Sequence, residues 1–362
     1  SHAGYRTGLV TDVYHQFKPA MNFHRGFRQF AFIRGQEGDA YASPDRMAGV
    51  DISHYLHPSL AGTAREAGHR RYLANVADRH YEEDYFAPKV FREAMRFVED
   101  NRNDDFCLVV DCFDPHEPWD PPRWYWELYD PGYEGQDLIW PPYGPTDDLT
   151  RAEIDHIRAL FAGEVTMVDK WLGLFVEKMR ALQLLDDTLL MVVSDHGHSL
   201  GEHNVIGKLS QCQYPELVDI ILMIREPGGE GAGRVIDDFV YDHDILPTAL
   251  AGLGIDLPRP VDGTDLWPLI RGEASGHPYV TGSMGEYARY QDETYRFICR
   301  FDGGERQLFV PGDDPELASN LAEKMPDVCE ELFGRIREDA GGDLPVISPE
   351  SLRRAGPWYE QV

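Results

Sequence analysis

The apolar positions of this chain fall into two rhythms. Short unbroken runs alternate with longer stretches in which apolar residues step by threes and fours. Runs at 8–10, 106–112, 189–193 and 217–224 have the length and branched character of buried strands, and 235–240 reads as a further short one. Residues 88–98 carry apolar side chains at helical spacing. Ile154, Ile157, Leu160, Phe161, Val165, Val168, Leu172, Phe175, Met179 and Leu182 line one face of a longer helix, which Asp186-Asp187-Thr188 then ends. Strand, helix and strand in this order predict an α/β fold of three layers, a largely parallel sheet flanked by helices.

Other stretches are less regular. Residues 22–39 mix aromatics and Arg without a period and are expected to be irregular. The pattern over 41–79 is weak, with Pro44 and Pro58 as breakers. Residues 120–148 form a long loop whose Trp and Tyr content predicts an ordered binding wall. From Gly276 the texture changes to short alternating segments at 295–301 and 307–310, followed by an acidic helix over 326–338. The expected organisation is an α/β domain at 1–275, a small antiparallel-sheet-plus-helix subdomain at 276–345 and a tail at 346–362.

Chemistry-bearing residues stand where the strand candidates end, which is where open α/β sheets carry their ligand sites. The run 189–193 leads into Ser194-Asp195-His196-Gly197, with two strong metal-ligand types side by side. Neighbours within a strand point to opposite faces. Asp195 and His196 therefore share one ion only where the strand has begun to coil, and Gly197 permits that. The run 106–112 leads into Phe113-Asp114-Pro115-His116-Glu117-Pro118-Trp119, which presents His116 at a strand end. The first strand ends in Thr11-Asp12, with His15 just beyond. Asp242-His243-Asp244 has the composition of a metal cluster, but it opens a helix running through Gly252, and the preferred reading is a helix N-terminus. The pattern points to a metal-assisted hydrolytic centre, part of which this chain carries.

Composition narrows the partners. The 362 residues are 42% hydrophobic and 27% charged, enough for one large domain or two. A formal charge of −29 with no basic stripe excludes nucleic-acid backbone binding. An anionic substrate then needs local positive charge from individual Lys, His or metal sites. Cys107, Cys112, Cys212, Cys299 and Cys329 form neither a CxxC pair nor a disulfide framework, so a reducing, cytoplasmic compartment is expected. No apolar run reaches the roughly 18–20 residues of a membrane span. The chain opens Ser1-His2-Ala3-Gly4-Tyr5 without Met, and its true start is expected upstream.

Six segments, taken in order, resemble one family: GYRTGLVTD from Gly4, DPHEPW from Asp114, MVDKWLGLFVEKMRALQLLDDTLLMVVSDHG from Met167, GEHNVIGK from Gly201, DHDILPTALAGLGIDLP from Asp242 and QLFVPGDDPELASNLA from Gln307. The resemblance is to the sulfatase branch of the alkaline phosphatase superfamily, which includes sulfatases, phosphonate monoester hydrolases and related phosphodiesterases. It covers nearly the whole chain and implies an alkaline phosphatase-like fold. It makes Asp195 and His196 ligands of one divalent ion, Ca first, with Mn, Mg or Zn as alternatives. His116 would stand near the leaving-group oxygen as general acid, and Lys208 would contact the anionic oxygens of a small ester substrate. His15 falls near the family's strand-end histidine and joins the expected catalytic set.

Two departures qualify the match. The lysine usually two residues before that histidine is missing, with Asp12 or Val13 in its place. A carboxylate there disfavours a doubly charged ester and leaves room for a singly charged diester or phosphonate, or for a sulfate bound through other groups. The family's first strand, with two Asp ligands, and its C/S-x-P-x-R motif are also not found. In that motif the Cys, converted to formylglycine, or a Ser/Thr is the nucleophile. Ser43-Pro44-Asp45-Arg46 and Cys212-Gln213-Tyr214-Pro215 lack the spacing. About a hundred residues of an ordinary family domain are expected upstream, with the nucleophile. The expected function is sulfate-ester hydrolysis. Phosphodiester or phosphonate monoester hydrolysis, and an inactive truncated chain or anion-binding pseudoenzyme, are the alternatives. Alone, the chain is expected to bind metal weakly and turn over no ester.

Overall fold

The apolar run at 8–10 lies in β1 (Arg6–Thr11), the middle strand of a parallel sheet ordered β2–β1–β3 with β2 (Gln29–Phe32) and β3 (Phe106–Asp111). The register sets Thr11 beside Phe32 on one side and Asp111 on the other, so the carboxyl ends of all three strands lie together. This computed structural model describes residues 3–18 and 20–345. The tail expected at 346–362 lies outside the described residues. The chain divides into two units, one running up to Thr188 with Asn204–Ile206 added, the other comprising Leu189–His203 and the residues from Gly207 on.

Between β2 and β3 run α1 (Ala64–Val76) and α2 (Phe86–Asp100), and α3 (Arg123–Trp126), β4 (Gly144–Pro145) and α4 (Arg151–Ala181) follow β3. The apolar stripe of α2 is buried against α4: Phe91, Ala94, Phe97 and Val98 pack with Met167, Trp171, Phe175 and Met179. α4 starts three residues before the first apolar position because Thr150 and Glu153 form a reciprocal cap. Glu153 N donates to Thr150 Oγ1 at 3.3 Å, and Thr150 N donates to Glu153 Oε2 at 2.7 Å. α2 also lies hard against β1. A Cβ on Gly8 would come 2.3 Å from the Phe97 ring, so the strand and helix approach as closely as a bare backbone permits.

The stretch 120–148 is ordered, as its aromatic content predicts. Tyr125, Trp126, Leu138, Ile139 and Trp140 are buried. His156 of α4 is clamped between Asp130 Oδ2 at 3.2 Å and Asp137 Oδ1 at 2.8 Å, with the Tyr133 ring stacked 3.8 Å away.

In the second unit β5 (Leu190–Val193) pairs antiparallel with β8 (Leu222–Arg225). Between them in sequence come β6 (Ser199–Leu200), β7 (Val205–Gly207), whose first two residues belong to the first unit, and α5 (Pro215–Val218). The run at 217–224 is therefore not one strand: Pro215 starts a helical turn and only its last residues pair. Residues 235–240 do not form the expected strand. Val235 is 83% exposed, and only Phe239 bridges, to His277. α6 (Ile245–Gly252) starts where the Asp-His-Asp sequence predicts. Asp244 accepts from Tyr241 N, Thr264 N and His277 Nε2 at 2.7–3.0 Å, a structural role. After α7 (Trp267–Ile270), an antiparallel sheet of β9 (Val280–Met284), β10 (Tyr287–Gln291), β11 (Arg296–Arg300) and β12 (Gln307–Phe309) packs on α8 (Pro326–Asp339). Phe297, Cys299 and Leu308 meet Cys329, Leu332 and Ile336 there. Among the described residues no helix is long and apolar enough to cross a membrane.

Replacing Gly8 by Val is expected to lower stability by about 1–3 kcal/mol in urea denaturation, since the Phe97 ring must leave its rotamer or α2 must shift. An unchanged midpoint would contradict the close approach.

Candidate active site

His116 sits on the loop after β3, and that loop is staked at three points. Phe113 N donates to Asp12 Oδ1 at 2.8 Å. Asp114 takes Gln36 Nε2 at 2.6 Å and Ala87 N at 3.1 Å. Trp119 is fully buried, with its indole nitrogen on Pro115 O at 2.9 Å and its backbone N on Ile139 O at 2.7 Å. The peptide bonds before Pro115 and Pro118 are cis. Between the stakes, His116 Nδ1 faces Glu117 O at 2.6 Å. A carbonyl only accepts, so Nδ1 carries a proton. Nε2 then bears the lone pair of the neutral ring and the second proton of the charged one.

His15 and His116 flank the same side chain. The Phe113 ring centre lies 4.1 Å from that of His116 and 6.1 Å from that of His15. His15 Nε2 lies 2.9 Å from the buried Glu37 carboxylate. Glu37 was not singled out by the sequence, because its partner is 22 residues away and no local period connects them. Asp12 points inward and is fully buried. Burial, with Asp114 and then Asp111 adding to it, pushes its carboxyl well above the usual range. It is thus held toward the neutral form, and the expected repulsion of a doubly charged ester from this position does not follow.

A group of acids underlies the loop. Asp120 accepts from Tyr72 Oη at 2.6 Å and Arg79 Nη1 at 2.8 Å, and its own N–H donates to Glu164 Oε1 at 3.0 Å. Burial pushes Asp114 up to about 6 against the attraction of Arg79. It also raises Asp120, and raises Glu164 well above its usual range, with Asp114 and Asp120 adding to the latter shift. Glu164 Oε2 is buried and has no hydrogen-bond partner among the described residues. That suits a protonated carboxyl better than a carboxylate.

The second unit carries the other candidates. Ser194 extends the β5 pairing by one residue: its N donates to Ile221 O at 3.1 Å and its Oγ accepts Ile221 N at 3.0 Å. Asp195 then lies in irregular backbone, as a shared ion requires. The next turn is strapped to α5, with Gly197 N on Leu217 O and His198 N on Glu216 O, both at 2.8 Å. A Cβ on Gly197 would fall 2.1 Å from Glu216 O, so no larger residue fits. His196 Nδ1 faces Gly197 O at 2.8 Å, which leaves Nε2 the metal-ligating lone pair. Asp195 Oδ2 lies 3.6 Å from that nitrogen and is exposed. Two donors each about 2.1–2.4 Å from one ion sit about 3–3.7 Å apart, so the pair fits a shared divalent ion. Among the described residues no set of three or more His, Cys, Asp or Glu is arranged to hold an ion. Lys208 directly follows β7 and is half-buried.

Gly197→Ala is expected to cost about 1–3 kcal/mol by urea denaturation, because backbone rather than a movable side chain blocks the new methyl; wild-type stability would contradict this. The acids give a second expectation. The raised Asp114 binds its proton in the folded chain at pH values where the unfolded chain has lost it. The contribution of Asp114 to stability is therefore fully present below about pH 4 and is lost as pH rises through about 6. Asp114→Asn should flatten that slope in denaturation curves, and an unaltered slope would contradict it.

A family model described as Sulfatase matches residues 1–255. The chain is 29% identical over 241 residues to an arylsulfatase of Clostridium perfringens, covering 60% of this chain and 49% of that protein. It is 25% identical over 355 residues to a choline-sulfatase of Rhizobium meliloti, covering 89% of this chain and 65% of the relative. It thus spans about half to two thirds of the length of these relatives. The crystal structure of a phosphonate monoester hydrolase of Agrobacterium radiobacter shares the fold with a TM-score of 0.68 at 18% identity, over 94% of this chain and 78% of that one. With the ordered motifs and a family model spanning most of its length, the chain belongs to the sulfatase family.

Proposed function

We propose that this chain is part of a hydrolase of sulfate esters, acting with a nucleophile carried outside these 362 residues. The observation that supports this most directly is the donor pair after β5, with Asp195 Oδ2 and His196 Nε2 3.6 Å apart and the imidazole proton held on Nδ1. Asp195 and His196 would hold one divalent ion; carboxylate and imidazole donors admit Ca, Mn, Mg or Zn. When bound, such an ion would polarise an ester oxygen and would favour the ionised form of a hydroxyl nucleophile. Lys208 supplies a point charge to the anionic sulfuryl oxygens. His116 donates its Nε2 proton to the departing oxygen, because its Nδ1 proton is committed to Glu117 O. His15, against Glu37, adds a second imidazole for the ester oxygens. In a chain of charge −29, these local groups are what an anionic substrate would be drawn to.

Hydrolysis of phosphonate monoesters or phosphodiesters is the second reading. The fold shared with a phosphonate monoester hydrolase fits it, and His196 is compatible with either reading.

Expressed with the upstream segment of its own gene, the protein is expected to hydrolyse nitrophenyl sulfate, and the present chain alone to give no turnover. His116→Ala and Lys208→Ala should each lower kcat/KM by about 10²–10³-fold. Unchanged rates in both variants would remove those roles. A higher kcat/KM on a phenyl phosphonate than on the sulfate selects the second reading, and no turnover of any ester by the folded, extended protein contradicts both.

A further inference from the structure

Glu117 meets His116 twice. Its backbone carbonyl takes the Nδ1 proton at 2.6 Å, and its carboxylate Oε2 lies 3.4 Å from the same nitrogen. The side chain is only 3% exposed, and its other oxygen accepts the Tyr143 hydroxyl. The ionisable groups around this pair come from several elements. Tyr143, just before β4, reaches His116 through Glu117. Arg65 of α1 has its guanidinium 5.6 Å from the Tyr143 ring centre. His15, paired with Glu37, lies across the Phe113 ring.

The two contacts act differently. The carbonyl accepts from Nδ1–H whether the ring is neutral or charged, so it sets the tautomer. The carboxylate favours the charged ring, because an opposite charge within about 4–6 Å stabilises it. Burial of Glu117 keeps that attraction from being screened as a surface pair would be. The Tyr143 hydroxyl holds the carboxylate in place.

We propose that Glu117 is a positioning residue of this site: its carboxylate, held by Tyr143, keeps His116 protonated, and its carbonyl directs the transferable proton to Nε2. This rests on the reading of His116 as proton donor. In that step the nucleophile's oxygen bonds to sulfur, the sulfur–oxygen ester bond breaks, its electron pair moves to the leaving oxygen, and that oxygen takes the Nε2 proton. The ring is left neutral with Nδ1–H still on the Glu117 carbonyl. Glu117 keeps its charge throughout and touches neither substrate nor the reacting atoms.

NMR of the full 362-residue chain with ¹⁵N-labelled histidine, assigned with His116→Gln, reads the tautomer and titration midpoint of His116. Glu117→Gln keeps the carbonyl and removes the charge. The neutral ring should remain the Nδ1–H tautomer while the midpoint falls by about one pH unit, a tenfold loss of proton affinity. Tyr143→Phe takes a donor from the carboxylate and should move the midpoint upward. A midpoint unchanged in both variants, or an Nε2–H tautomer in the unsubstituted chain, overturns the proposal. If Glu117→Gln does not fold, Tyr143→Phe decides it by the same criterion. In the active protein, Glu117→Gln should move the basic limb of the kcat/KM profile down by the same interval, and a loss uniform across pH overturns it. Normal rates in His116→Ala would instead refute the proton-donor reading, and the NMR result would stand apart from that.

Discussion

Asp12 takes the Phe113 N–H at 2.8 Å, and that bond joins the end of β1 to the start of the loop that carries His116. The rest of the first unit's site depends on it and on the acids behind it. Asp12, Asp114 and Glu164 are buried and Asp120 is half-buried, with the Arg79 guanidinium paired to Asp120. Four carboxylates against one guanidinium would be a severe excess of charge in a low-dielectric interior. Burial shifts the balance of these groups toward their protonated forms. Burial raises the carboxyls of Asp12, Asp114, Asp120 and Glu164, while Arg79 and backbone or side-chain donors satisfy the oxygens that stay charged. The loop is therefore held by hydrogen bonds whose strength follows the protonation of their acceptors.

The second unit solves the same problem by other means. Asp195 and His196 are exposed, and the contacts of their side chains are to each other and to the backbone of their own turn. Their turn is fixed through its backbone instead, by two N–H groups donated to the carbonyls of α5 and by a glycine that lets the chains touch. A proton donor needs a set tautomer and a tuned affinity, which buried partners provide. A metal donor needs direction and access for an ion, which an exposed side chain on a fixed backbone provides.

The elements legible in the sequence were those whose burial follows one period. β1, β3, β5, α2, α4, β11, β12 and α8 all lie where the apolar pattern predicts them. α1 was not legible because the side chains it buries are His69, Tyr72 and Ala74, which make no apolar stripe. β2 was hidden among aromatic and Arg residues, and its half-exposed pattern reflects an edge strand. The 235–240 run has strand-like composition, yet Val235 faces solvent and the chain pairs only at Phe239. At the site, strand ends gave the positions of His15, His116, Asp195 and His196. Their partners were not readable. Glu37, Asp12 and Tyr143 come into play through contacts 22 to 101 residues apart, and whether Asp12 faces the substrate or the core is decided by packing alone.

The role of His116 is tested most directly by how its removal depends on the leaving group. With the active protein, kcat/KM of the unsubstituted enzyme and of His116→Ala is measured across phenyl sulfates whose phenols span a wide range of acidity. A proton donor to the leaving oxygen matters least where the phenolate leaves easily and most where it does not. The loss in His116→Ala is therefore expected to grow steadily as the phenol becomes less acidic. A loss of the same size for every leaving group would contradict it.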